Sequence, residues 1–407
     1  MIDLAIDRAA RPRLSQTEFI AMMAMLFATI AFSIDSMLPA LPQIASVLTP
    51  NAPNAAQLII TSFVLGMGIG TLFTGPLSDS FGRKPVIIAG AALYCLGAML
   101  AWAAPSLETI LAARVLQGLG AAGPRVVSLA MVRDLYSGRA MARVISFVMM
   151  VFMLVPAIAP LLGSFIIAVA GWRSVFLTFV VFSVVATLWL MIRQPETLPT
   201  PLRRKFQLAP ILSALHEVLS NRTIVLSIMV QTLVYACLFA TLSSTQQIFG
   251  ETFGRADSFP LWFALISVMA GAGSLLNASF VMRMGMRRMV TVTLAGQMIL
   301  SGVMVVTTAL HLWPASLAFP TYLIWTIGVF FMASLTIGNL NALALEPVGH
   351  IAGMASSVIG AISTVASVAL AVPVGLMFDG TAVPLMASTA VFATLAFWLM
   401  RQLPRTA

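Results

Sequence analysis

Few side chains in this sequence can carry charge away from water, and those few define its chemistry. Asp35 is the one acid well inside a long apolar run, within Ser33-Ile-Asp-Ser-Met-Leu-Pro-Ala-Leu-Pro42. A charge inside hydrocarbon costs about 2.5–3.5 kcal/mol on insertion scales, so one that is retained marks a candidate site. A carboxyl group so placed can exchange a proton or hold a cation; the alternative is an acid that reaches the outer surface. Arg114 opens Arg-Val-Leu-Gln117-Gly118 in another apolar run. Counting about 1.5 Å per residue from the outer ends of the two runs puts Asp35 and Arg114 at similar depth. An acid and a base at one depth share an electrostatic field, through which bound substrate or a helix shift can tip protonation. The pair can equally serve structure alone.

Arg125 follows Arg114 by eleven residues, which on a helix is about 20° from the same face and about 16 Å along it. Two readings stand for it: a cationic wall of a substrate cavity, or a side chain that reaches back to the headgroups. The flanking Gly118, Gly120, Gly123 and Pro124 suit close helix approach or a bend. The later part of the chain offers uncharged groups instead. Gln231 and Tyr235 lie in one run, Asn339 and Asn341 in another. With Gln117 and Arg125 they are the candidate substrate-cavity residues, although Asn and Gln in hydrocarbon also bind helices to each other. Pro156 and Pro160, four apart and followed by Gly163, predict a kinked, closely packed helix.

The elements that carry these residues are membrane spans. The chain has 407 residues, 60% hydrophobic and 9% charged, against about 25% charged in soluble domains. Its mean hydropathy is +1.01. Twelve apolar runs lie near 18–40, 55–77, 86–104, 107–132, 141–168, 172–193, 220–248, 259–282, 288–310, 316–344, 352–378 and 383–403. The predicted fold class is an all-α membrane protein with twelve transmembrane helices in two six-helix halves. The expected organisation is an N-tail 1–17, a first half 18–193, a linker 194–219, a second half 220–403 and a C-tail 404–407. The net charge of +9 resides in short loops, as topology signals do, and does not indicate nucleic acid. The tails, the linker and the loops on their side hold 18 of the 22 Lys and Arg; the opposite loops hold two, Arg173 and Arg255. Both termini are therefore expected in the cytoplasm. The loop at 345–351 belongs to that side yet has no cation. Cys95 and Cys237 are too few and too isolated for a disulfide framework or a metal site. The three histidines, His216, His311 and His350, form no catalytic or metal spacing, so an enzyme is not expected. No cofactor is expected, and a monomer suffices.

Between the second and third runs lies Gly75-Pro-Leu-Ser-Asp79-Ser-Phe-Gly82-Arg83-Lys84. A loop this short makes its flanking helices antiparallel neighbours. The pattern resembles the signature loop of the major facilitator superfamily. Gly285-Met-Arg-Arg288 is a second, degenerate copy with Met282 in place of the acid. The run at Asp35, Arg114 with Gln117-Gly118, Arg133-Asp134, and Ala159-Pro160-Leu-Leu-Gly163 followed by Gly171-Trp-Arg173 resemble its drug:proton antiporters of the bicyclomycin/chloramphenicol resistance type. Ala159 and Ser164 stand where that antiporter signature has glycine. The resemblance implies a multidrug efflux antiporter of the bacterial inner membrane, moving a small molecule against protons by rocking of the halves. It implies that Asp79 and Arg83, within the loop of Gly75, Gly82 and Lys84, latch the outward-open state, that Arg114 shares in proton coupling with Asp35, and that Pro156, Pro160 and Gly163 belong to the antiporter motif. Uptake by proton symport, or export of a small anionic metabolite, is the competing expectation, suggested by Arg114 and Arg125.

Overall fold

The computed structural model describes residues 14–404, so the tail residues 1–13, with Arg8, Arg11 and Arg13, and 405–407 lie outside the described residues. The described residues are helical, with no strand among them. In the first half, the helices are α1 (Gln16–Asp35), α2 (Leu41–Leu48), α3 (Leu58–Phe81), α4 (Arg83–Ala103), α5 (Leu107–Leu135), α6 (Gly138–Ala170) and α7 (Ser174–Arg193). A short helix α8 (Ala209–Ser220) lies inside the linker. The second half holds α9 (Arg222–Gln247), α10 (Phe259–Met284), α11 (Met286–Ala309), α12 (Ala315–Leu345), α13 (Ala352–Leu376) and α14 (Val383–Gln402). Eleven stretches of the described chain are long and apolar enough to span a bilayer, and the longest, Ala315–Leu376, holds both α12 and α13. Twelve spans result, as the hydropathy pattern predicts.

Local chemistry sets the breaks. Pro39 and Pro42 remove amide donors just after Asp35, and the first span breaks there into α1, a 3-10 turn at Leu38–Ala40 and α2. Ser106 caps α5 through a reciprocal capping box with Thr109. Pro156 and Pro160 lie within α6, which remains one assigned helix of 33 residues.

The chain forms two compact units: Met1–Met37 with Ser62–Ser213, and Leu38–Thr61 with Ala214–Ala407. In the first, α1 packs on α5, α6 and α7, and α4 lies along α5 and α7. Its core includes Phe19, Met22, Met23, Val127, Met131 and Leu190. In the second, α9 packs on α12, α13 and α14, and α11 on α12 and α14. Residues 38–61 precede most of the first half's spans in sequence, yet they group with this second unit. Asn54 and Gln57 carry that association. Asn54 Nδ2 donates to the carbonyls of Leu376 (3.1 Å) and Phe378 (2.8 Å), which the end of α13 leaves without helical donors. Gln57 Nε2 donates to Gln247 Oε1 at 2.6 Å, and its own Oε1 accepts from Ser244 Oγ at 2.9 Å.

Candidate functional site

Asp35 is the last residue of α1 and is buried at 5% exposure. The helix ends here because the amide of Met37, four residues after Ser33, turns to the Ile34 carbonyl at 3.3 Å. The Ser33 carbonyl is thereby left without its backbone donor. Arg114, fully buried on α5, supplies one: its Nη2 donates to Ser33 O at 3.1 Å. A guanidinium at a helix C-terminus also meets the negative end of the helix dipole. Its Nη1 donates to Gln117 Oε1 at 2.8 Å, one turn on along α5. Its face lies 4.4 Å from the Phe63 ring centroid, a cation–π contact. Asp35 and Arg114 are thus brought to one place, where the arginine holds the backbone two residues before the acid.

Two further groups fix this corner. The Ser33 hydroxyl donates to the Thr29 carbonyl, so the bond between Ser33 Oγ and Tyr94 is donated by the tyrosine hydroxyl. Tyr94, on α4, is 1% exposed and so links a third helix to the break. On the other side of the break, Gly163 of α6 meets Ser36. A Cβ built on Gly163 would stand 2.2 Å from the Ser36 carbonyl oxygen, a contact that only a hydrogen in that place permits. Ala159 and Pro160 are buried on the same helix, while Pro156 is half-buried.

Arg125 is half-buried, with Nη1 3.5 Å from Met67 Sδ. Arg114 and Arg125 therefore lean on Phe63 and Met67, one turn apart on α3, in keeping with the shared face that their spacing predicts. In the second unit, Gln231 Nε2 donates to Asn341 Oδ1 at 3.2 Å, joining two of the predicted cavity residues across α9 and α12. Asn339 goes elsewhere: its Nδ2 donates to Asn277 Oδ1 at 2.7 Å and ties α12 to α10. Tyr235 is half-buried and stacks on Phe239, with ring centroids 5.6 Å apart.

The loop at 75–84 is a knot of helix ends. Gly75 lies in the last turns of α3, its carbonyl accepting from Ser78 Oγ at 2.8 Å. Gly82 turns the chain at φ +102°, a conformation L side chains rarely adopt. The amides of Arg83 and Lys84 that open α4 donate to the two carboxylate oxygens of Glu196 at 2.9 and 3.1 Å, so a linker residue caps this helix. Lys84 Nζ in return donates to the Met191 carbonyl near the end of α7, at 2.7 Å. The Arg83 guanidinium bonds Asp79, Ser78 Oγ at 2.7 Å, and Asp134 Oδ2 through Nε at 2.9 Å. Thr197 Oγ1 donates to that same Asp134 oxygen at 2.9 Å. Sequence reasoning noted Arg133-Asp134 as a motif but missed Glu196 and Thr197. Glu196 had one signal, as one of two acids, with Glu217, in a linker rich in arginine and lysine.

The Major Facilitator Superfamily model matches residues 21–372. A bicyclomycin resistance protein homolog from Haemophilus influenzae is 30% identical over 379 residues, covering 91% of this chain and 92% of its own. The multidrug resistance protein MdtL of Salmonella typhi is 30% identical over 330 residues, 80% of each. Among solved structures, a D-xylose-proton symporter superposes with a TM-score of 0.77 at 16% identity, over 95% of this chain and 98% of its own, a likeness of fold.

Proposed function

Because this chain belongs to the Major Facilitator Superfamily, a family of transporters rather than enzymes, we propose that it is a proton-coupled exporter of small drug-like molecules working by alternating access. Drug-resistance relatives at about 30% identity support the substrate class. The observation that carries the coupling is Asp35, a buried acid at the broken end of α1, with Arg114 bonded two residues away. In this reading a proton arriving from outside neutralises Asp35. The charge balance at the end of α1 then changes, and with it the hold of Arg114 on the Ser33 carbonyl. That bond spans α1 and α5, so a change in one helix reaches the other. Substrate binding from the cytoplasm or inner leaflet favours release of the proton. The membrane potential adds about 2.3 kcal/mol per charge per 100 mV.

The knot at 75–84 serves in this scheme as the conformational latch, Arg83 being the group whose bonds to Asp79 and Asp134 must yield or persist. Gln117, Gln231, Tyr235, Asn339 and Asn341 are the proposed polar contacts to substrate, with Gln231 and Asn341 meeting as one polar spot. The distribution of cations supports an inner-membrane location with both termini in the cytoplasm. Arg125 gives a second reading some weight: among the described residues no carboxylate pairs with it, and its cation suits an anionic cargo, taken up by symport or exported.

Everted vesicles decide between them. Acidifying the interior drives substrate uptake by an antiporter and not by a symporter. Asp35→Asn is expected to abolish that proton-driven accumulation while leaving a folded protein. Full accumulation by the variant against a gradient would remove Asp35 as the coupling group.

A further inference from the structure

The linker helix α8 carries two apolar stripes. Ile211, Ala214 and Val218 are buried. Leu208, Leu212, Leu215 and Leu219 recur at i, i+4, i+7 and i+11, which places them on one face about 100° around from the first. Three of these four are bare, Leu208, Leu212 and Leu219 at 56%, 61% and 51% exposed, and Leu215 between them is half-buried. Leu208 belongs to that face because its carbonyl accepts the opening helical bond from the Leu212 amide at 3.0 Å. The polar side of the helix is occupied by Glu217, whose Oε1 lies 3.1 Å from His350 Nε2.

A solvated helix has no use for four leucines in line, and three further facts say what covers them. First, α8 ends at Ser220 and the membrane-spanning α9 begins at Arg222, with only Asn221 between. Its end therefore lies at the boundary of the bilayer, and at about 1.5 Å per residue no part of its 12 residues is more than about 18 Å from that boundary. Second, the residues just before it are Arg204 and Lys205, both exposed and without a carboxylate partner among the described residues, and Phe206, 38% exposed. Cations beside a leucine stripe match the two parts of an anionic lipid, headgroup and acyl chain. Third, most of the other bare aliphatic side chains sit on the spans themselves, such as Ile192 at 78% and Val169 at 71%, the surfaces that hydrocarbon covers, while the bare leucines of connecting segments, Leu202, Leu310 and Leu312, form no helical stripe. The bare face of α8 is of the same kind, outside a span.

We infer that α8 lies in the membrane interface, with the Leu208–Leu219 stripe against acyl chains and Arg204 and Lys205 on anionic phospholipid headgroups. The test uses the full chain in vesicles of phosphatidylcholine, with or without phosphatidylglycerol. With Cys95 and Cys237 replaced by alanine, an environment-sensitive fluorophore is attached through Leu212→Cys or, on the polar side one turn before Glu217, through Ser213→Cys, at a residue exposed like Leu212. Brominated acyl chains should quench the Leu212 probe and aqueous iodide should not, with the reverse at Ser213. In the chain with its native cysteines, Arg204→Ser with Lys205→Ser should lower phosphatidylglycerol enrichment around the protein by roughly tenfold or more. A Leu212 probe open to iodide in vesicles, or one shielded only at high protein density as a second copy would do, overturns the proposal. So does an unchanged lipid enrichment in the double variant.

Discussion

Gly163→Ala offers a sharp perturbation of the coupling corner. The new Cβ would stand 2.2 Å from the Ser36 carbonyl oxygen and 3.0 Å from its Cα and carbonyl carbon. Relief requires α6 and the Ser36 backbone to part by about 1 Å, and overpacking of this kind costs about 1–3 kcal/mol. Ser36 adjoins Asp35 and lies three residues from Ser33, whose carbonyl is 3.1 Å from Arg114 Nη2. A displacement of about 1 Å carried through that turn stretches the bond beyond hydrogen-bonding range. The expectation is a folded protein with proton-driven transport reduced at least tenfold, since misplacement by about 1 Å at a working site costs on the order of a hundredfold in enzymes. Substrate accumulation in acid-loaded everted vesicles gives the rate, and thermal unfolding in detergent gives the fold. The control is Gly296→Ala on α11, where a Cβ meets nothing within 4 Å and transport should be unchanged. Wild-type transport by Gly163→Ala would refute the claim that α6 positions the end of α1.

Arg114→Lys keeps the charge and loses the fork. One ammonium cannot hold the Ser33 carbonyl and Gln117 Oε1 in the guanidinium's geometry, so coupled transport should fall nearly as far as in Arg114→Ala; full activity of the lysine variant in the vesicle assay would show that charge alone matters. Glu196→Ala leaves the first amides of α4 without their acceptor. It should cost about 1–2 kcal/mol, seen as faster hydrogen exchange at the Arg83 and Lys84 amides, with Glu196→Gln recovering part of the loss.

Hydropathy made the twelve spans legible, because each run is long and bounded by cations or proline. The prolines at 39 and 42 announced the break after Asp35, and helical spacing placed Arg114 and Arg125 on one face. What stayed hidden was partnership at long range. Nothing local to Glu196 shows that its carboxylate caps a helix 113 residues earlier. Tyr94 reads as one aromatic among many until α4 is folded against Ser33. Asn339 was grouped with Asn341 by nearness in sequence, yet two residues on a helix face different ways, and they serve different neighbours. The leucines of α8 had a readable period, obscured by the prolines and charges of the surrounding linker.

Glu196 and the Arg204 amide, which donates to the Asp79 carbonyl at 3.0 Å, pin the opening of the linker to the signature loop. The slack between α7 and α8 is therefore much shorter than its sequence suggests. After Arg204, only Lys205 to Gln207 make no protein bond before the Leu208 carbonyl opens α8, a leash of about 10 Å at full stretch. A protease site or a reporter domain spliced into those three positions should leave the fold intact, whereas the same insert at 196–203 should pull apart two helix ends.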